Sequence, residues 1–401
     1  MKEIIVISTF YKQVIFYLRL SKPMIKLGYE FKFFVYKLSL YLLLKRRGAN
    51  VFFIKKRVEN KDFIFNDKII EDTLEYKNKQ MSLLQAKNLY KATYLSLEKN
   101  INRENIYAMF IWNGSTIDQK AASFFAEKNN IKTLYFEIAN LPGKIFVDRK
   151  GTNAQSEICN NIKILDKYSF DEKIYEKWKS IYLKNKLESH IVPQGKTVIG
   201  DIQIRFLIDI FGSIFVTRIG FNKSFMIYKI KQLINNIMYP LKFDSYDYKN
   251  KKYIFFPLQV SYDSQIILNS SINLLDAFKK VLDYAKRNNY DLVVKPHPQE
   301  CNYSALVEFF KYKKEFILLN DNTFLLMKYA EEIWTINSTV GLEALIMGKK
   351  INVLGKALYK NFNEEYLKKY ISSYLISINF FSEEDISIEV AKEIINRVEK
   401  E

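Results

Sequence analysis

The feature that most constrains this chain is a rhythm. Short apolar runs alternate with longer amphipathic stretches, and glycines close several of the latter. Ile4–Ser8 reads as a strand, followed by a helical stretch to about Leu27 and then Gly28. Phe31–Val35 reads as the next strand, followed by a helix to Arg47 and then Gly48, with Val51–Ile54 as a third strand. Ala108–Trp112 and Thr133–Glu137 are further strands, on either side of a helix over about Gln119–Asn129. A glycine just past the last periodic residue is a helix C-terminal signal, because it turns left-handed without a Cβ clash. Strands and helices alternating at this spacing predict a parallel sheet covered on both faces. The second half restarts the pattern. Tyr253–Phe256, Asp291–Lys295, Phe316–Leu319, Ile333–Ile336 and Ile351–Leu354 read as strands. Gln265–Arg287 reads as one long helix, and Val340–Met347 as a short one closed by Gly348.

The expected fold class is therefore α/β, with parallel sheets in two Rossmann-type domains. The boundaries read as an N-terminal domain over 1–200, a helical middle over 201–252 and a C-terminal domain over 253–401. In the middle, the apolar run Ile202–Val216 is interrupted by Arg205 and Asp209, and a Lys-rich part with Phe221, Phe225, Met226 and Tyr228 follows. Two readings stand for it: a helical linker packed between domains, or an amphipathic element lying on a membrane surface. No uncharged stretch reaches the 18 or so residues that a membrane span needs; the apolar run Phe33–Leu44 contains Lys37. The N-terminus has an acid directly after its base and reads as a strand, not a signal peptide.

Composition removes several function classes. At 401 residues and 48% hydrophobic content the chain can bury a large core and is not disordered. Two cysteines, Cys159 and Cys301, exclude a disulfide scaffold, and two histidines, His190 and His297, argue against a His-based metal cluster. The expectation is a reduced, cytoplasmic protein. The net charge of +18 invites a nucleic-acid reading, yet only ten of the 62 basic residues are Arg, the better reader of phosphate and bases. Nucleic acid is not expected as a partner. The charge instead favours anionic lipid or a phosphate-bearing substrate. No Asp-x-Asp, Gly-x-Gly-x-x-Gly, Walker A or Gly-x-Ser-x-Gly sequence occurs. Metal-dependent nucleotide-sugar sites of the usual kind, dinucleotide binding, P-loop chemistry and elbow-type hydrolysis all lose support.

Ligands of open α/β sheets bind beyond the C-terminal ends of the strands. Four stretches sit there. Lys295-Pro296-His297-Pro298 clamps an imidazole between prolines, which fix their own φ and restrict the residue before them; a plain turn with a surface histidine is the alternative. Asn337-Ser338-Thr339-Val340-Gly341-Leu342-Glu343 puts hydroxyls at a helix start, where free N–H groups and the dipole suit an anion; simple capping by Ser338 or Thr339 is the alternative. Glu343 is four residues from Thr339, too far for a capping box, so it is free for ribose hydroxyls or serves as a dipole partner. In Phe256–Gln265, Asp263 or Ser264 can cap a helix, while Gln259 has no evident structural duty. In the first half, Glu137 and Asp148 share one strand-and-loop region near Trp112-Asn113-Gly114. Either carboxylate is a candidate base or nucleophile, or a structural partner of a lysine or a turn.

Taken together, five stretches resemble the bacterial capsule polysaccharide biosynthesis family, of the KpsS/LipB type. They are Ile111–Gly114, Leu134–Glu137, Phe146–Asn153, Phe256–Ser264, and Lys295–Pro298 together with Ser338–Leu345. The resemblance covers about residues 105–360. It implies a GT-B-like fold with two facing Rossmann-type domains. It also implies a glycosyltransferase that moves Kdo, or a related sugar, from a CMP-activated donor to a lipid-linked glycan acceptor. On that reading His297 contacts the CMP phosphate or leaving group, Ser338 and Thr339 hold the phosphate, and Glu343 takes the ribose. Gln259 and Asp263 line the cleft, Lys295, Asn337 and Gly341 complete the donor set, and Glu137 and Asp148 are the acceptor-side candidates for catalysis. No cofactor and no metal are implied, since CMP is already a monophosphate leaving group. The anionic inner leaflet and other capsule synthesis or export proteins are the further partners. One departure is that Ile138-Ala139-Asn140 follows Glu137, where the family often has Asn-Gly or Asp-Gly. Two other classes fit the same residues: a non-catalytic capsule assembly or export protein with this fold, and a UDP-sugar transferase or epimerase.

Overall fold

The computed structural model describes residues 1–55, 66–188, 199–217, 234–235, 238, 240–260, 263–300 and 303–399. Among them are twelve strands in two sheets: β1 Lys2–Ile7, β2 Tyr29–Val35, β3 Asn50–Phe53, β4 Ile106–Trp112, β5 Thr133–Ile138, β6 Lys144–Asp148, β7 Tyr253–Pro257, β8 Asp291–Lys295, β9 Ile317–Leu318, β10 Glu332–Thr335, β11 Ile351–Val353 and β12 Ile376–Ser377. The first sheet has the order β12-β6-β5-β4-β1-β2-β3, and the second β11-β10-β7-β8-β9. The second is parallel throughout. The first is parallel from β5 to β3, with β6 and β12 added antiparallel at one edge. The α/β class with parallel sheets is as expected; the antiparallel edge is not.

The chain divides into two units, each described by itself. The first comprises Met1–Glu157, Pro193–Lys223 and Leu375–Glu401, and the second Ile158–Val192 and Ser224–Tyr374. This differs from linear boundaries at 200 and 252, for a packing reason. In β1, Ile4 and Val6 face one apolar cluster while Ile5 and Ile7 face another, so the sheet is buried on both sides. Val14, Phe16, Tyr17, Leu20 and Met24 of the helix Tyr11–Lys26 cover the first face at helical spacing. That face is finished by the C-terminal helix Ile388–Glu399, which buries Ala391, Ile394, Ile395 and Val398 in the same cluster. Arg397 also donates to the Val147 carbonyl at 2.8 Å. The end of the chain therefore completes the first unit.

Two other expectations need correction. Gln265–Arg287 is not one helix but two, Ser264–Asn269 and Leu274–Arg287. Ser270 Oγ donates to the Ile272 carbonyl and accepts from its N–H, and the Asn273 side chain caps Asp276 N. Short polar side chains compete here for the backbone groups a continuous helix would use. In the middle segment, the helix Ile199–Phe211 runs into a π-helical turn, Gly212–Val216, and packs within the first unit on the helix Leu38–Arg46. Phe221, Phe225, Met226 and Tyr228 lie outside the described residues, as do His190, Cys301, Ser261 and Tyr262. Among the described residues, no helix is long and apolar enough to cross a membrane.

Phe16 has ring contacts with Tyr17, Trp112, Phe136 and Phe380 at centroid separations of 5.3 to 6.1 Å. Phe16→Ala should destabilise the first unit by about 3–5 kcal/mol. A urea titration followed by tryptophan fluorescence should show a lower midpoint; an unchanged midpoint would mean that this cluster does not hold the sheet.

Candidate functional site

In the second unit, β7 leads to β8 and β9 on one side, and the chain then returns to place β10 on the other. The strand order reverses between β7 and β10, where an open α/β sheet leaves a crevice for ligands. Gln259 follows β7 and Asn337 follows β10, and the two side chains join across that point. Gln259 Oε1 accepts from Asn337 N at 3.2 Å, and Gln259 Nε2 donates to Asn337 Oδ1 at 3.1 Å. Asn337 Nδ2 donates in turn to the Gln265 carbonyl at 2.7 Å. Both residues are buried. Gln259 thus has the structural duty that its sequence position did not reveal.

Asp263 caps the short helix after β7 by accepting from Gln265 N at 2.8 Å, and its other oxygen lies 3.4 Å from Gln259 Nε2. Its charge also acts on His297. That imidazole is half-buried, and desolvation lowers its pKa below the usual 6.5 despite the opposing pull of Asp263 and Glu300. The ring is therefore mostly neutral at pH 7. Its Nδ1 accepts from Gln299 N at 3.2 Å, which assigns the proton to Nε2 and makes that atom a donor. Lys295 points along the strand end and donates to the Asp321 carbonyl at 2.6 Å and to Thr323 Oγ1 at 3.0 Å.

Ser338 is the N-cap of the helix Thr339–Ile346, with Oγ accepting from Val340 N at 3.2 Å. Thr339 opens the first turn, where Val340 N donates to Ser338 Oγ and Gly341 N to the Ser338 carbonyl at 3.0 Å. Tyr359 Oη donates to the Ser338 carbonyl. The Tyr359 ring lies so close to Gly341 that a Cβ there would sit 2.5 Å from the hydroxyl, so only glycine fits without moving the ring. Glu343 is buried, and its Oε1 accepts from Tyr182 Oη and from Lys186 Nζ, both at 3.0 Å, from the helix Glu172–Glu188. The carboxylate is thus an ion-pair partner as well as a donor-side candidate, an arrangement the sequence did not signal.

In the first unit, Glu137 and Asp148 sit on the antiparallel pair β5–β6, where Tyr135 faces Asp148 and Glu137 faces Phe146. Their environments differ. Asp148 accepts from Lys150 N, Gly151 N and Glu157 N at 2.8 to 3.2 Å and organises the turn that follows β6. Glu137 is half-buried, and desolvation pushes its pKa up to about 7, against hydrogen bonds from Asn113, Ile138 N and the Trp112 side chain. Asn113 is held at φ +40° and Gly114 at +76°, and a Cβ on Gly114 would meet the Tyr135 ring at 2.9 Å. That left-handed turn is why an Asn-Gly pair ends β4. Among the described residues the fully buried Tyr17 hydroxyl has no hydrogen-bond partner, and the Glu137 charge acts on it.

The first sheet reverses its order between β1 and β4. A buried polar knot that the sequence did not suggest lies there. Asp118 accepts from Thr116 Oγ1 at 2.6 Å and from Thr9 Oγ1 at 3.0 Å, Gln119 Nε2 donates to Thr9 Oγ1 at 3.1 Å, and Glu75 accepts from Ile117 N at 3.2 Å. Burial pushes Glu75 up to about 8 and raises Asp118, while the Lys37 charge opposes both shifts. Among the described residues no group of three or more His, Cys, Asp or Glu could hold a metal ion.

Two doubly wound α/β units, one presenting an imidazole and hydroxyls beyond its strand ends, define a Rossmann-type protein. The chain belongs to the capsule polysaccharide biosynthesis protein family, whose model matches residues 108–362, more than half its length. It is 33% identical over 125 residues to the capsule polysaccharide export protein KpsS of Escherichia coli, and 31% identical over 110 residues to protein FixF of Sinorhizobium fredii. These matches cover 27% of this chain in each case, and only 31% and 27% of those proteins' own lengths. Among solved structures it is similar to KpsC of Thermosulfurimonas dismutans, a β-Kdo 2,7 transferase, at 16% identity and a TM-score of 0.43 over 92% of this chain and 99% of that one.

Two outcomes follow from this geometry. Ser338→Ala should cost about 0.5–2 kcal/mol through the lost cap, read as a lower thermal midpoint of the second unit. Glu137 binds its proton more tightly in the folded chain than in the unfolded one. The stability from that proton is full below about pH 4.5 and is lost as pH rises through about 7. Urea midpoints at about pH 5 and about pH 8 should therefore differ less in Glu137→Gln than in the wild type. An identical pH dependence would mean that Glu137 titrates normally.

Proposed function

We propose that this protein is a glycosyltransferase of capsule or surface-polysaccharide synthesis that uses a CMP-activated sugar, Kdo or a relative, and a lipid-linked glycan acceptor. The observation that carries the reading is the neutral, prolyl-clamped His297 with its proton on Nε2, on the same unit and the same strand-end edge as the capped helix start at Ser338 and Thr339. Membership in the capsule polysaccharide biosynthesis family supports the pathway.

In this mechanism the second unit binds the donor. Ser338 and Thr339 hold the phosphate at the positive end of the helix, and Gly341 makes room for the Tyr359 ring that braces this turn. His297 Nε2–H donates to a phosphate oxygen. As the bond from the sugar's anomeric carbon to that phosphate breaks, this donor stabilises the charge gathering on departing CMP. Glu343 meets the ribose while keeping its contacts to Tyr182 and Lys186. Gln259, Asn337, Asp263 and Lys295 fix the strand ends from which these groups project. On the acceptor side Glu137 takes the proton of the attacking hydroxyl. A carboxyl titrating near 7 suits a general base at neutral pH, whereas Asp148 is committed to main-chain N–H groups. The leaving group is a monophosphate, so the proposal needs no metal.

Calorimetry with CMP, UMP, UDP and GDP in metal-free buffer tests the donor. CMP should bind selectively, and His297→Ala should weaken it roughly ten- to a hundredfold with the fold intact by circular dichroism. Glu137→Gln should keep CMP binding and lose sugar transfer from CMP-Kdo to a lipid acceptor. Preferential UDP binding would make this a UDP-sugar enzyme, and no nucleotide binding would make it a non-catalytic assembly protein.

A further inference from the structure

The helix Ile199–Phe211 and the turn Gly212–Val216 are amphipathic the wrong way round for a globular surface. Their two charged residues within the described side chains face the protein. Asp209 Oδ1 accepts from Ser39 N at 2.9 Å, and the Arg205 guanidinium lies 3.7 Å from the centroid of the Tyr11 ring. Gly212 is pressed against Leu38, where a Cβ would come within 2.6 Å. The large apolar side chains face outward: Ile204, Leu207, Phe211, Ile214 and Phe215 are each between 47% and 65% exposed. Their spacing of three, four, three and one residues makes one stripe along the element. A contiguous exposed apolar stripe of this kind marks an interaction surface.

The surroundings of the stripe choose its occupant. The helix Leu38–Arg46, on which it packs, carries the exposed Leu42 and leads into exposed Lys45, Arg46 and Arg47. In the sequence no Asp or Glu occurs between Asp209 and Asp244, and the chain as a whole is +18. A second copy would bring the same positive charge to the same place, which opposes self-association. An anionic bilayer offers opposite charge at its headgroups and an apolar layer beneath them, matching both parts of the patch. We propose that Ile204, Leu207, Phe211, Ile214 and Phe215 dock the first unit on an anionic lipid surface, with Lys45, Arg46 and Arg47 adding electrostatic attraction.

The test is co-sedimentation with phosphatidylcholine vesicles, with and without phosphatidylglycerol, in the absence of any nucleotide or sugar. The wild type should bind the phosphatidylglycerol vesicles, and less well as salt rises. The triple variant Leu207→Ser, Phe211→Ser, Phe215→Ser should bind at least about tenfold more weakly, with circular dichroism and thermal midpoint matching the wild type. The variant Lys45→Ala, Arg46→Ala, Arg47→Ala should lose binding chiefly at low salt. Equal binding by the triple Ser variant would overturn the proposal. So would wild-type protein that ignores vesicles, including protein that dimerises through the stripe in analytical ultracentrifugation. Because no nucleotide takes part, failure here is distinct from failure of the donor reading.

Discussion

The second unit depends on a pair of buried amides. Gln259 and Asn337 leave different strands at the point where the sheet reverses; Gln259 donates to the Asn337 side-chain carbonyl and accepts from the Asn337 main-chain N–H, while Asn337 Nδ2 donates to the Gln265 carbonyl. A buried amide without partners is costly, so the two strand ends are held in one relation. What projects beyond them inherits that rigidity. Asp263 touches the same Gln259, and Ser338 follows directly on Asn337. The groups able to meet a ligand therefore rest on a saturated polar layer that is not itself free to bind one. This separates residues that position from residues that contact, a distinction their common location after strands conceals.

The first unit solves a different problem at its own switch point. There the buried polar groups are acids, and desolvation raises both Glu75 and Asp118. Threonine hydroxyls and main-chain N–H groups surround them, leaving a knot that pins the loops after β1 and β4. Glu137 stands at the edge of this region, half-buried, with the Trp112 and Asn113 side chains as partners. Of the two carboxylates on β5 and β6, only Glu137 is left without a turn to organise. Burial and partner count, more than proximity, distinguish the two.

The alternating pattern made most of the parallel strands legible, because a strand buried on both faces must be apolar throughout and its helix must carry one apolar stripe. β8, Asp291–Lys295, follows the expected bounds, and most others shift by a residue or two. The antiparallel strand β6 was not legible, since Lys144–Asp148 is too short to declare its direction. The break at Ser270–Asn273 was hidden because apolar periodicity continues across it, while the decisive hydrogen bonds involve only small polar side chains. Among site residues, His297 and Ser338 were legible from their place after strands. The Gln259–Asn337 pair and the Lys186–Glu343 contact were not, because each joins residues more than 70 positions apart. The same holds for the domain division, which hinges on a C-terminal helix whose partner face lies at the other end of the sequence.

That helix sets an order on how the molecule is made. The ribosome delivers Ala391, Ile394, Ile395 and Val398 after the rest of this sheet's cover, and until they arrive the face that Tyr11–Lys26 covers in part stays incomplete. β12, which pairs with β6, is equally late. The second unit, by contrast, is all synthesised by Tyr374. The sheet whose first strands are made before the second unit is thus completed after it, and the part of its face left open in the interval, rich in Phe and Ile, needs shelter from aggregation.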